Sequence, residues 1–174
     1  NKDKVSNYSF AFDGVDDYID LNRPTELISA TNFSISCWFK TPLNASGGIY
    51  TWFSGASGWI ELNCSTDGSM TANVTRLSSA TYGIASAGTI TANTWNNAVM
   101  VFDGGGASNS DRLKLYINGS VISLTFVGTI PTQTGTMVLN GLHIGERYNG
   151  VNYLEGNIDD VSLFNNSLTP TDIT

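Results

Sequence analysis

Carboxylates are the residues of this sequence whose type and spacing most clearly suggest chemistry. They concentrate in two stretches near opposite ends of the 174-residue chain, residues 10–21 and residues 154–165. The acids of these stretches include, in chain order, Asp13, Asp16, Asp17, Asp20, Asp159 and Asp160. Carboxylate oxygens are the preferred ligands of a hard cation such as Ca²⁺. The two stretches therefore predict a cation site, provided that the fold brings them together.

Both stretches have the composition of β-strands, which is the condition for such a site. If the first and last strands are neighbours, they share a calcium ion whose predicted ligands are Asp13, Asp16, Asp17, Asp159 and Asp160. In an extended strand Asp159 and Asp160 would point to opposite faces, so that one of them needs a partner in the interior or at the rim. The alternative is that Asp13 and Asp16 are turn residues and that Asp160 is satisfied by backbone N–H groups. No EF-hand spacing is present, so the prediction depends on assembly through space.

Aromatic and amide residues suggest a second kind of site, one that binds sugars. A sugar ring stacks its apolar face on an aromatic side chain, while Asn, Asp and Arg bond its hydroxyls. The predicted ligand contacts are Trp52, Trp59, Arg147, Tyr148, Asn149 and Asn152. For Trp52 and Trp59 a place in the core is an equal alternative. Trp38, Trp95 and Phe102 are assigned to the core.

Other chemistries find little support in the residues. His143 is the single histidine, which leaves no Ser-His-Asp or Cys-His arrangement to propose. Gly104 to Gly106 lacks the Lys-Ser/Thr of a phosphate-binding loop. Cys37 lies in an apolar strand and is expected to be a buried thiol, with a disulfide to Cys64 as the open alternative.

The overall composition limits the possible partners. The net charge is −7 and charged residues make up only 13% of the chain, which argues against nucleic acid and anionic membranes. No apolar run is long enough to cross a bilayer, and the residues shown contain no signal peptide pattern. Because the chain starts at Asn1 and stops directly after Thr174, we expect a processed or excised piece of a longer protein.

Short strands are predicted throughout, with almost no helix. About a dozen runs of β-branched and aromatic residues are separated by turn signals, the clearest being Asn118-Gly119 between the runs 112–117 and 121–126. Residues 103–111 and 146–153 are predicted to be loops, and a short helix is expected to start after Thr169. The pattern predicts an all-β, two-sheet antiparallel sandwich that forms one domain over residues 1–174.

The ordered set of motifs resembles the laminin-G-like, concanavalin A-like jelly-roll domains over nearly the whole chain. The segments that carry the resemblance are 12–18, 33–39, Trp95 with 99–103, 113–119, 144–145, 156–165 and 168–169. The resemblance implies two curved antiparallel sheets, binding of glycans or protein surfaces, and often a calcium ion near the terminal strand, for which Asp13 and Asp159 are the first choices. It also implies an extracellular, cell-surface or virion protein.

Three functions are compatible with this resemblance. The leading prediction is a non-catalytic carbohydrate-binding or adhesion module of an extracellular or virion protein. It would bind a glycan or a glycosylated surface and would be stabilised by calcium. The alternative is a structural capsid-decoration or tail-fibre domain that contacts neighbouring subunits. The jelly-roll glucanases are the third, but their pattern Glu-x-Asp-x-x-Glu is met here only by Glu61, with Asn63 and Thr66 at the other positions. We therefore predict that the domain is not an enzyme.

Overall fold

Strands dominate the structure, a computed structural model that describes residues 8–22, 24–44, 46–53, 58–77, 80–136, 141–147 and 150–173. In chain order they are β1 (Phe10–Asp13), β2 (Ile19–Asp20), β3 (Asn32–Lys40), β4 (Gly47–Phe53), β5 (Trp59–Cys64), β6 (Met70–Val74), β7 (Tyr82–Ala85), β8 (Asn96–Asp103), β9 (Leu113–Ile117), β10 (Ser120–Ile122), β11 (Thr125–Val127), β12 (Leu142–Ile144), β13 (Glu146–Arg147), β14 (Val151–Tyr153) and β15 (Glu155–Phe164). The helical segments are a 3₁₀ turn (Thr25–Leu27), α1 (Asn109–Arg112) and α2 (Pro170–Ile173).

Two antiparallel sheets form the sandwich. Across the described residues, one sheet has six strands in the order β1-β15-β3-β8-β9-β10, and the other has seven in the order β11-β7-β6-β5-β4-β12-β2. β13 and β14 form a separate hairpin. The predicted all-β antiparallel sandwich is thereby confirmed.

The core lies between the sheets and follows from strand alternation. In β3, Phe33, Ile35, Cys37 and Phe39 are buried, as the period of two in the sequence predicted. Burial of such a side chain contributes roughly 1.5–3 kcal/mol. They belong to the same cluster as buried side chains of the seven-stranded sheet, among them Tyr50, Trp52, Ile60, Leu62 and Val74.

The segment 121–126 differs from its prediction as a single strand. The Asn118-Gly119 turn is present, with φ of 52° and 79° and the pair Ser120 with Ile117. The chain then leaves the six-stranded sheet, and Thr125–Val127 pairs with β7 in the other sheet. Alternation predicts a strand but not the sheet to which it belongs, which is why the crossing was not foreseen.

Two segments predicted as loops contain regular structure. Glu146–Arg147 and Val151–Tyr153 pair as strands β13 and β14, and residues 103–111 include the start of α1. α1 begins with a capping box in which Ser108 and Asp111 bond each other's backbone N–H groups. No helix in the described parts of the chain is long and apolar enough to span a membrane.

Candidate functional site

The outer face of the seven-stranded sheet, the face turned away from the core, carries a row of mostly polar side chains. The strand register aligns one residue from each strand across the sheet. In spatial order the row is Asp20, His143, Thr51, Glu61, Asn73, Tyr82 and Val127. Because successive residues of a strand alternate between faces, their sequence neighbours Trp52, Ile60 and Val74 face the core.

Several polar residues of this outer face are buried, although they do not belong to the apolar core. Thr51, Glu61, Asn63 and Asn73 expose 6% or less of their surface. The side-chain Nδ2 of Asn63 is buried and has no hydrogen-bond partner among the described residues. A buried amide donor without a partner costs free energy, so this face contains a donor that lacks a hydrogen-bond acceptor.

The β13–β14 hairpin covers part of this face by packing against β4. A Cβ on Gly48 would lie 2.3 Å from Glu146 O and 2.4 Å from Arg147 N, so only glycine permits this approach. Thr51 Oγ1 donates to Glu146 O at 3.1 Å, and Gly145 N donates to Ile49 O. The hairpin therefore borders a patch of mostly polar side chains, which we call the hairpin groove and define by Thr51, Trp59, Glu61, Asn63, Asn73 and Arg147.

Ionisable side chains meet in pairs at and beside the hairpin groove. Arg147 Nε donates to Glu61 Oε1 at 2.6 Å, and 4% of the Glu61 side chain is exposed. His143 Nδ1 lies 2.6 Å from Glu146 Oε1, and His143 Nε2 lies 3.8 Å from Asp20 Oδ1. Three carboxylates thus accompany one guanidinium and one imidazole on this side of the sheet.

The predicted aromatic contacts have different environments. Trp59 is half-buried on the outer face, and its ring centroid lies 6.5 Å from that of Phe53. Trp52 is fully buried within the core, so its prediction as a ligand contact is wrong. The physical reason is the alternation of β4, which turns Trp52 inward and its neighbour Thr51 outward.

The predicted 147–152 contacts are only partly described. Arg147 lies at the hairpin groove, and Asn152 is exposed on β14 with a φ of 56°. Tyr148 and Asn149 lie outside the described residues. Tyr153, at the end of the hairpin, has its pKa raised by loss of water contact and then by nearby Glu146, Tyr18 and Asp16.

The acidic stretches are neighbours, as predicted, but their register separates the proposed ligands. β1 pairs with β15 so that Asp13 lies opposite Glu155 and Phe10 opposite Ile158. Asp159 is four residues beyond Glu155, which is about 13 Å along a strand at roughly 3.3 Å per residue. The prediction that Asp159 and Asp160 share an ion with Asp13 is therefore wrong.

A β-bulge accounts for the geometry of the second acidic pair. The pairing with β3 shifts register between Asp159 and Ser162, and Asp160 has a φ of 48°. Asp160 N donates to Asp159 Oδ1 at 2.8 Å. The regular alternation assumed for Asp159 and Asp160 does not hold at this point of the strand.

Three of the predicted metal ligands do converge. Asp13, Asp16 and Asp17 each offer a carboxylate oxygen, and these oxygens lie within 4.8 Å of one another. Asp13 Oδ1 accepts from Val15 N at 2.8 Å, and Asp17 Oδ2 accepts from Asp13 N at 3.1 Å. These two bonds close the turn after β1 and hold the carboxylates together despite their like charges.

The two cysteines are free and buried. Burial raises the pKa of the Cys37 thiol to about 12 and that of the Cys64 thiol to about 11. The alternative of a Cys37–Cys64 disulfide is not realised in this structure.

Comparison with known proteins agrees with this architecture. The family model of the concanavalin A-like lectin/glucanases superfamily matches residues 13–174. The chain belongs to this superfamily. A comparison with curated protein sequences gave no match.

Solved structures similar to this concanavalin A-like domain come from several organisms. The CBM40 of Ruminococcus gnavus IT-sialidase bound to α2,3 sialyllactose is 14% identical, with a TM-score of 0.74 over 95% of this chain and 94% of that chain. A heptameric SAP-like pentraxin from Limulus polyphemus is 16% identical, with a TM-score of 0.61 over 97% and 76%. Domain 4 of AbnA, a GH43 extracellular arabinanase from Geobacillus stearothermophilus, in complex with arabinotriose, is 20% identical, with a TM-score of 0.57 over 87% and 69%. At these identities the likeness concerns the fold.

Sequence reasoning about this concanavalin A-like domain missed most of the hairpin groove. Thr51, Asn63 and Asn73 were not singled out as ligand contacts, and Glu61 was considered only as an incomplete catalytic pattern. The available signal was the polar residues alternating with apolar ones in β5 and β6. Recognising it would have required knowing that the outer face is covered.

Proposed function

We propose that this domain is a non-catalytic carbohydrate-binding module that holds a glycan in the hairpin groove. The observation that carries the proposal is the buried polar outer face, where the Asn63 amide lacks a partner and half-buried Trp59 lies on the same face of β5. Sugar hydroxyls would bond the polar groups of this face, and Trp59 would stack on a sugar ring. Similar folds that are bound to sialyllactose and arabinotriose support this class of ligand.

The charges of the groove favour a neutral or amine-bearing sugar. Glu61, Glu146 and Asp20 lie near the row, while the guanidinium of Arg147 already bonds Glu61. An acidic sugar would meet repulsion from these carboxylates. The domain would therefore differ in ligand preference from the sialyllactose-bound module that shares its fold.

The arrangement around Glu61 favours binding over hydrolysis. A retaining glycosidase uses two carboxyl groups about 5 Å apart. Glu61 and Asn63 lie on the same face of β5, and an amide stands where the second carboxylate would be needed. An amide cannot act as the nucleophile or the general acid, so the groove would hold a glycan without cleaving it.

We further propose that calcium stabilises the turn between β1 and β2. Asp13, Asp16 and Asp17 provide converging oxygens of the kind that Ca²⁺ prefers, and they are close enough to repel one another without a cation. Calcium would supply charge neutralisation there.

These features favour an adhesion module that is secreted or lies at the cell surface.

A second candidate function, contact with neighbouring protein or virion subunits, is favoured by one observation. β1 is an edge strand of the six-stranded sheet, and Phe10 and Tyr8 beside it are 65% and 85% exposed. An open strand edge with exposed aromatics can pair with another chain.

A glycan array, read in calcium and in chelator, tests the proposed function. The wild-type domain should bind a set of neutral or amino glycans, and Glu61→Gln should lose that binding. Glu26→Gln, which alters an exposed carboxylate in the 3₁₀ turn, is the matched control and should bind as the wild type. Absence of binding to every glycan in both conditions would count against a lectin role and favour the subunit-contact candidate.

A further inference from the structure

Two of the four tryptophans lie on the outer face of the six-stranded sheet, on the side of the sandwich opposite the hairpin groove. Trp38 on β3 pairs with Asn97 on β8 and is half-buried. Lys40, two residues further along the same face of β3, places its Nζ 5.5 Å from the centroid of the Trp95 ring. Trp95 is 36% exposed and Trp38 is half-buried on the outer face, so the assignment of both to the core is wrong.

A shallow cavity of about 480 Å³ lies beside Trp38 on this face. Its lining consists of Trp38, Asn97, Asn118, Gly119, Ser120 and Ile173. The lining combines one large aromatic ring with amides, a hydroxyl and one aliphatic residue from α2. An aromatic floor with a polar rim suits a ring that is apolar on its face and hydroxylated at its edge.

The polar rim of this cavity is held in place before any ligand arrives. Asn118 Oδ1 accepts from Asn97 N at 2.9 Å, and Asn118 Nδ2 donates to Asn96 Oδ1 at 3.2 Å. Asn97 Nδ2 donates to Cys37 O at 3.2 Å. The Asn97 Oδ1 acceptor and the Ser120 hydroxyl take no part in these bonds. Fixed polar groups lower the ordering cost of binding.

We propose that Trp38, Trp95 and this amide rim form a second carbohydrate site, which takes the pyranose rings of a neutral glycan. Trp38 lies on β3 and Trp95 directly precedes the neighbouring strand β8, so the two rings lie on one face, where diagonal neighbours are close enough to contact successive rings of one chain. The hairpin groove and this face lie on opposite sides of the sandwich, so one domain would connect two glycan chains. The site does not depend on the hairpin groove being functional.

The experiment follows the four indole N–H signals in ¹H–¹⁵N spectra during titration with cellotetraose, chitotetraose, mannotetraose and lactose. At least one of these probes should shift the Trp38 and Trp95 signals, and the same shifts should persist in Glu61→Gln. Trp95→Ala should weaken this binding about tenfold, the loss expected for one stacking contact. Ser120→Ala tests the rim without removing an aromatic ring.

The outcomes separate this site from the hairpin groove. Shifts at Trp59 alone would overturn the second site while supporting the groove, and shifts at Trp38 and Trp95 alone would do the reverse. If neither the Trp38 signal nor the Trp95 signal responds to any probe at millimolar concentration, the second site is also overturned. If the Trp38 and Trp95 signals respond to protein concentration instead, with a dimer in sedimentation, the face is a self-association surface. Trp95→Ala alters an exposed residue, so its folding is expected to match the wild type.

Discussion

Arg147 Nε donates a 2.6 Å hydrogen bond to Glu61 Oε1, and this contact joins the β13–β14 hairpin to the centre of the seven-stranded sheet. Only 4% of the Glu61 side chain is exposed, whereas 44% of the Arg147 side chain is exposed. The buried carboxylate therefore depends on a cation supplied from the surface. Gly48 makes the contact possible, because its missing side chain lets the hairpin backbone lie against β4.

We predict that Arg147→Ala lowers the free energy of unfolding by roughly 1–3 kcal/mol, since it leaves the Glu61 carboxylate buried without its charged partner. Adding Glu61→Gln to that variant should recover part of the loss, because an amide is easier to bury than an unpaired charge. Urea denaturation measures both. Equal stability of Arg147→Ala and the wild type would show that the pair does not hold the hairpin.

The two tryptophans predicted as ligand contacts should respond in opposite ways. Trp52→Ala removes a fully buried ring from the core and should cost about 3–5 kcal/mol of stability. Trp59→Ala removes a half-buried ring from the groove and should reduce glycan binding with little change in stability. Chemical denaturation together with glycan-binding measurements distinguishes them, and a Trp59→Ala variant that binds normally would remove Trp59 from the site.

Calcium should raise the thermal midpoint of the wild-type domain, and chelator should lower it again. Asp16→Asn should abolish this response because it removes one of three converging carboxylates. Asp160→Asn is the matched control and should keep the response, since its position in β15 lies far from the turn. A response lost in the Asp160 variant but kept in the Asp16 variant would contradict the assignment; thermal unfolding with and without Ca²⁺ measures it.

The buried thiols predict a pH dependence. Burial raises the pKa of Cys37 from 9.0 to about 12, so the folded state keeps a proton that the unfolded state loses earlier. The associated stability is complete below pH 9.0 and is lost as the pH rises toward 12. Native protein at pH 8 should resist iodoacetamide and react after unfolding in urea. Mass spectrometry of the alkylated protein measures this, and Cys37→Ala should flatten the alkaline loss of stability.

The sequence alone was sufficient to predict much of the fold, because strand formation is a local property. Alternation in β3 identified the buried face through Phe33 and Phe39, and Asn118-Gly119 identified the tight hairpin turn. The ordered motifs pointed to the family that the comparison then established. The neighbouring positions of β1 and β15 were also anticipated.

The tertiary structure decided the register of strand pairing and the point at which the chain crosses from one sheet to the other. Whether Asp159 lies opposite Asp13 depends on which residues pair, and a bulge at Asp160 is not visible in a period-two pattern. The same holds for residues 125–127, whose pattern is identical in either sheet. Trp52 and Trp59 both looked suitable for a ligand, and only the packing of the second sheet made one of them core.

The hairpin groove depends on tertiary structure most of all. Thr51, Glu61 and Asn73 lie on three successive strands and meet only because β4, β5 and β6 align in one register. Thr51 and Glu61 are then bonded by a segment 95 and 86 residues further along the chain, the β13–β14 hairpin. Local sequence specifies which side chains share a face of a strand, whereas contacts between distant segments specify which of those faces becomes a site.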